Sequence, residues 1–119
     1  MPGPRVLLVE DEFLIRQTLA EALADDGFEV VQAGSGEEAV GTLQQQEFAL
    51  LVTDMMLSGD VDGRAVAAAA RRRRPGLPAI FITGGPRTQP DGTASNEVFI
   101  AKPFLTSEVC AIARRLLAG

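Results

Sequence analysis

The chain has 119 residues, enough for one ordinary domain around a single hydrophobic core. It is 46% hydrophobic and 23% charged with a formal net charge of -5, the balance of a globular protein and the wrong sign for nonspecific nucleic-acid binding. Its one cysteine, Cys110, excludes an internal disulfide, and the absence of histidine removes the commonest general base and transition-metal ligand.

No apolar run is long enough to span a membrane, and Met1-Pro2-Gly3-Pro4 does not read as a signal peptide, so a cytoplasmic location is expected. Val6–Val9 is a short apolar run that passes straight into Glu10, Asp11 and Glu12. Ile15, Leu19, Ala22 and Leu23 then fall at helical spacing, with Asp26-Gly27 as the stop. Glu29–Ala33 is a second apolar run. Ser35, with Glu38 three residues later, is a capping box for a helix carrying Ala39, Val40 and Leu43. Phe48–Thr53 leads into Asp54, and the alanine-rich stretch Arg64–Arg74 predicts a third helix that stops at Pro75-Gly76.

Ala79–Thr83 is a fourth run. The segment from Gly84 to Asn96 carries Pro86, Pro90 and an Asp91-Gly92 turn, which predicts a loop or at most a turn or two of helix. Glu97–Ala101 is the fifth run, followed by Lys102. Val109, Ile112, Ala113 and Leu116 mark a last helix that Thr106 or Ser107 could cap. The runs are mostly continuous rather than alternating, as in strands buried on both faces of a parallel sheet. The pattern is β-α five times with one weak unit, which right-handed crossovers turn into an α/β fold with helices on both faces. Phe28, Phe48 and Phe81 are core candidates, and Cys110 reads as a small core residue.

In open parallel sheets, ligands bind at the carboxyl ends of strands where the strand order changes sides. Here those ends carry Glu10-Asp11, Asp54, Thr83 and Lys102. If the first and third strands are neighbours, the acids converge, and two carboxylates at about 4 Å repel by roughly 4 kcal/mol at an effective dielectric near 20. A divalent cation between them removes that conflict, and oxygen ligands without histidine or cysteine select Mg²⁺ or Mn²⁺. Asp54 is then a carboxylate nucleophile for phosphorus, with Lys102 and the Thr83 hydroxyl holding the remaining oxygens and Gly84-Gly85 keeping the rim open. Taken singly, each residue has a plainer reading: acids before a helix cap it, and Glu12 is a first-turn helix acid.

The pieces "LLVEDE", "LLVTDMML", "AIFITG" and "IAKPF", in this order, resemble the response-regulator receiver domain of two-component signalling over essentially the whole of residues 1–119, as a single receiver domain. The resemblance implies a flavodoxin-like (βα)₅ three-layer sandwich with parallel strand order 2-1-3-4-5. It implies Asp54 as phosphoacceptor, and Mg²⁺ held by Asp11, Asp54, the Met56 carbonyl and, through water, Glu10. Thr83 and Lys102 take the phosphoryl-sensing roles, Phe99 falls at the aromatic switch position, and Lys102-Pro103 is expected to be a cis peptide. The implied partner is a histidine kinase or histidine phosphotransfer protein. The chain is expected to be no enzyme beyond its own phosphorylation and dephosphorylation, to contact neither membrane nor nucleic acid directly, and to be open to homodimerisation.

The chain departs from the family pattern in three places. Ser58 and Asp62 stand where proline and glycine are usual, and "LSGDVDG" holds one extra residue that moves the glycine to Gly63; Asp60 and Asp62 read as turn residues. The stretch from Thr83 to Lys102 is short and broken by prolines, so a fourth helix is expected to be short or disordered. "FITGGP" partly resembles the Phe-Ala-Thr-Gly motif of an atypical receiver subgroup.

Other readings have their own tests. A phosphorylation-independent interaction module would give no Mg²⁺-dependent beryllofluoride response near Asp54. A phosphatase of the haloacid-dehalogenase type would need an aspartate where Met56 stands, and a flavin site would need a phosphate-cradling first loop instead of an acidic one. Arg71–Arg74 reads as the exposed end of the third helix, where cations favour the dipole, and not as a nucleic-acid patch.

Overall fold

The computed structural model describes residues 3–84 and 96–118. Five parallel strands, β1 (Arg5–Val9), β2 (Glu29–Ala33), β3 (Leu50–Asp54), β4 (Ala79–Thr83) and β5 (Glu97–Ala101), form one sheet in the order β2-β1-β3-β4-β5. The helices are α1 (Phe13–Asp25), α2 (Gly36–Leu43), α3 (Gly63–Arg73) and α4 (Thr106–Ala118). This is the doubly wound three-layer arrangement expected from the sequence. The segment expected to form a loop or shortened helix, including Gly85 and the Asp91-Gly92 turn, falls at 85–95, outside the described residues. The fourth helix of the described chain is the C-terminal one.

Strand position explains strand composition. β3 and β4 lie inside the sheet and every residue of each is buried, whereas the edge strands β2 and β5 are only partly covered. Successive side chains leave opposite faces. Leu7, Val9, Leu51 and Phe81 pack with Ala39, Leu43, Val66 and Ala70 of α2 and α3. Val6, Leu8, Val52, Ile80 and Ile82 pack with Leu19, Leu23, Val109 and Ala113 of α1 and α4. Phe28, Phe48 and Phe81 are buried, as is Cys110.

The ends of the elements follow local chemistry, with some corrections. Ser35 Oγ accepts the Glu38 N–H at 3.0 Å, while Glu38 Oε1 takes the Gly34 N–H in place of the Ser35 N–H that a full capping box uses. Gly27, at φ 100°, turns the chain out of α1. Helix α4 begins at Thr106 itself, so neither Thr106 nor Ser107 stands ahead of the helix as a cap; the Leu105 carbonyl accepts the Glu108 N–H. β3 starts at Leu50, so Phe48 is a buried loop residue and Asp54 is the last residue of the strand. The arginines closing α3 do more than meet its dipole. Arg71 donates to the Leu77 carbonyl and Glu97, Arg73 to the Leu43 carbonyl, and Arg74 to the Phe48 carbonyl. They tie α3 to α2, to the chain entering β3 and to β5.

Candidate functional site

The site stands on continuations of the sheet ladder. Beyond the end of β1, the Glu10 N–H donates to the Ala33 carbonyl at 3.1 Å; beyond β5, the Lys102 N–H donates to the Thr83 carbonyl at 2.8 Å. The Met55 N–H likewise donates to the Ile82 carbonyl after β3. Backbone bonding therefore fixes Glu10, Asp54, Thr83 and Lys102 at one sheet edge, although they are far apart in sequence. The Lys102-Pro103 peptide is cis, as the resemblance implies.

Carboxylate oxygens of Glu10, Asp11 and Asp54 lie within 4.8 Å of one another. Asp54 is 3% exposed and Glu10 is fully buried. Asp54 Oδ1 accepts the Met56 N–H at 2.8 Å, and Asp54 Oδ2 lies 2.7 Å from Lys102 Nζ, which is also 3.7 Å from Glu10 Oε2. Glu10 Oε1 accepts the Glu12 N–H, but Oε2 is the one buried side-chain polar atom with no hydrogen-bond partner among the described residues. Burial, reinforced by Asp54, pushes the Glu10 carboxyl up to about 7 against the opposing pull of the Glu12 amide and Lys102. Burial acts upward on Asp11, but bonds from the Ser58 amide and hydroxyl, together with Glu10 and its own amide, outweigh it and hold that carboxyl below its usual value. For Lys102, burial works against the charge; the bond to Asp54 and the charge of Glu10 prevail and raise its pKa.

Three hard-oxygen acids facing one ammonium leave an excess of negative charge. A buried carboxylate oxygen without a hydrogen-bond partner is the feature a divalent cation or its bound water would satisfy. The residues therefore fit Mg²⁺ or Mn²⁺, and the lack of nitrogen and sulfur donors argues against zinc.

Around this centre, the structure locates the other residues picked out in the sequence. Thr83 is buried beside Lys102 and its hydroxyl donates to the Ile100 carbonyl at 3.4 Å. Phe99 pairs with Phe81 in register, and their rings stack with centroids 5.1 Å apart. Gly63 shows why the family's glycine has moved with the loop. A Cβ there would stand 2.3 Å from the Asp54 carbonyl oxygen, so α3 can approach β3 only with glycine at this point. Asp62 caps α3 through the Ala65 N–H, and the Asp60 N–H is held by Glu37; both aspartates serve the turn.

The contacts of two residues, Arg64 and Ser58, had no signal in the sequence. Arg64 lies over Phe81 at 4.9 Å and over Phe99 at 5.4 Å, and reaches Glu97 at 3.6 Å. The Ser58 N–H donates to Asp11 Oδ2 at 3.1 Å, 47 residues away.

Residues 6–114 match the family model of the response regulator receiver domain. The response regulator receiver protein CpdR of Brucella abortus is 35% identical over 119 residues, covering 97% of this chain and 98% of CpdR. The probable transcriptional regulatory protein TcrX of Mycobacterium tuberculosis is 31% identical over 115 residues, covering 94% of this chain and 49% of TcrX. The chain thus spans about half the length of that relative. A crystal structure of a response regulator receiver protein from Sinorhizobium medicae superimposes with a TM-score of 0.86 at 27% identity, covering 98% of this chain and 96% of that one.

Proposed function

This chain belongs to the response-regulator receiver family, and from that premise we propose that it is a phosphoacceptor switch in which Asp54 takes a phosphoryl group from a histidine kinase or histidine phosphotransfer protein. One observation carries the reading: a nearly buried Asp54 held 2.7 Å from Lys102 within a cluster of acids whose mutual repulsion a divalent cation would relieve. The chain has no histidine, so the donor group comes from another protein or from another region of a longer chain.

An Asp54 oxygen attacks phosphorus, the P–N bond of the donor's phosphoimidazole breaks, and its electron pair returns to the ring nitrogen. Mg²⁺ or Mn²⁺, held by Asp11, Asp54, the Met56 carbonyl and, through water, Glu10, would screen the arriving phosphoryl oxygens from these acids and stabilise charge during in-line transfer. The Met56 N–H keeps the carboxylate of Asp54 oriented at Oδ1. Lys102 exchanges its carboxylate contact for a phosphoryl oxygen, and the Thr83 hydroxyl turns from Ile100 toward the new charge. Because Lys102 directly follows β5, which carries Phe99, that exchange is felt at Phe99 and at the loops after β4 and β5. No turnover of an external substrate is expected beyond gain and loss of the chain's own phosphoryl group.

Phe13, Leu14, Met56 and Leu105 are the exposed large hydrophobic side chains among the described residues. Leu14 also lines a cavity of about 510 Å³ with Ile15, Thr18, Lys102, Pro103 and Phe104. An apolar surface reaching Lys102 suits a donor helix that must bring its phosphohistidine to Asp54. A cytoplasmic location fits such a donor, and among the described residues no helix is long and apolar enough to cross a membrane.

The test is incubation with a radiolabelled small phosphodonor or kinase in Mg²⁺, comparing the wild type with Asp54→Asn. Label is expected on the wild type alone; an equal level on the variant would move the acceptor elsewhere.

A further inference from the structure

The segment after β3 is strung across carboxylates from three different parts of the chain. The Met56 N–H donates to Asp54, the Ser58 N–H to Asp11, and the Asp60 N–H to Glu37 in the first turn of α2. Gly59, at φ 95°, turns the strap between the last two. A Cβ on that glycine would lie 3.0–3.1 Å from the Glu37 carboxylate oxygens, so the acid is packed against the turn as well as bonded to it.

Asp11 is only partly buried, and a partly solvated carboxylate loses rotamer freedom when it binds a cation. The Ser58 amide restrains it beforehand, with one of its oxygens still within 4.8 Å of an oxygen each of Glu10 and Asp54. Glu37 in turn fixes the turn that presents Ser58. The proline that the family pattern has at this position carries no N–H and could not make the contact.

We propose that the Ser58 backbone amide is a positioning group for the divalent-cation seat, and that Glu37 is its anchor outside the site. The proposal rests on the reading that Glu10, Asp11 and Asp54 hold a cation, and it adds a residue of α2 that touches neither cation nor phosphoryl group.

The experiment is a Mg²⁺ titration of ¹⁵N-labelled protein followed by amide shifts, since the chain has no Trp or Tyr for fluorescence. Ser58→Pro, which removes the N–H, is expected to raise the Mg²⁺ Kd on the order of tenfold, the usual scale for losing an outer-sphere partner. Ser58→Ala keeps the N–H while losing the hydroxyl that also bonds Asp11, and is expected to raise Kd by clearly less than Ser58→Pro does. Glu37→Ala is expected to raise Kd about threefold, with Glu37→Gln, which keeps an acceptor oxygen, restoring it. Dispersed spectra establish that each variant is folded, and if Ser58→Pro is not, the Glu37 pair carries the test.

Wild-type affinity in Glu37→Ala, or equal weakening in Ser58→Ala and Ser58→Pro, overturns the proposal alone. A wild type without a saturable Mg²⁺ response overturns both the proposal and the cation-seat reading.

Discussion

Lys102 Nζ lies between two of the clustered acids, 2.7 Å from Asp54 Oδ2 and 3.7 Å from Glu10 Oε2. It is the positive charge that the described chain itself supplies at the centre of the acid cluster. Replacing it with methionine leaves the carboxylates facing one another while keeping most of the side-chain volume. Lys102→Met is expected to destabilise the metal-free protein by about 1–3 kcal/mol, less than for a fully buried pair because the lysine is partly solvated. Mg²⁺ should recover much of the loss. Urea denaturation with and without Mg²⁺ measures both, and a variant as stable as wild type in chelator would contradict the electrostatic account.

Glu10 makes metal-free stability depend on pH. Its folded pKa of about 7 lies above the ordinary 4.5, so between these values the folded state holds more protons than the unfolded one. Stability therefore falls as pH rises through this window, by on the order of 3 kcal/mol in total. The lowered pKa of Asp11 acts below this range and the raised pKa of Lys102 above it, so neither cancels the slope. Urea midpoints in chelator at about pH 5 and about pH 8 should differ in wild type and converge in Glu10→Gln. A wild-type midpoint that rises with pH would contradict the assignment.

Two glycines should respond oppositely to alanine. At Gly63 the new Cβ would meet the Asp54 carbonyl oxygen at 2.3 Å, and the atoms it meets are backbone of Asp54 and Met55, which cannot swing aside as a side chain could. Gly63→Ala is expected to cost about 2–4 kcal/mol and to displace the amide resonances of Asp54. At Gly41, inside α2, a Cβ meets nothing within 4 Å. Gly41→Ala is expected to stabilise by about 0.5–1 kcal/mol through helix propensity. Chemical denaturation of the two variants decides the matter.

The apolar face beside Lys102 separates protein donors from small ones. Leu14→Asp puts a charge at an exposed position outside the acid cluster. Phosphotransfer from a partner kinase is expected to fall at least about tenfold, the scale of a buried interface side chain lost, while labelling by a small phosphodonor stays near wild type. Equal loss with both donors would show that Leu14 acts on the chemistry and not on docking.

Much of this molecule could be read before folding. Continuous apolar runs in Val6–Val9 and Ala79–Thr83 announce strands covered on both faces, because burial on two sides leaves no polar alternation to see. Asp11, Asp54, Thr83 and Lys102 could be picked out together because each closes or follows such a run. Local chemistry also showed: Ser35 caps α2, and Gly27 turns the chain after α1. The stop of α3 was legible too, but not what its arginines hold, since the carbonyls of Leu43, Phe48 and Leu77 come from separate parts of the chain.

What composition and spacing could not convey is who supports whom. The link from Ser58 to Asp11 includes a backbone amide, which every residue but proline carries and which leaves no mark in a side-chain pattern. Glu37 reads as an ordinary first-turn acid until the longer loop after β3 is laid against it. Arg64 reads as an exposed helix residue until register stacks Phe81 on Phe99 beneath it. Side-chain type and periodicity are local properties, so they determine the strands, the helices and the reactive groups. Sheet order and loop path bring distant groups within about 3–5 Å of one another and bury them, and those distances together with that burial set the charge, the pKa values and the support of the site.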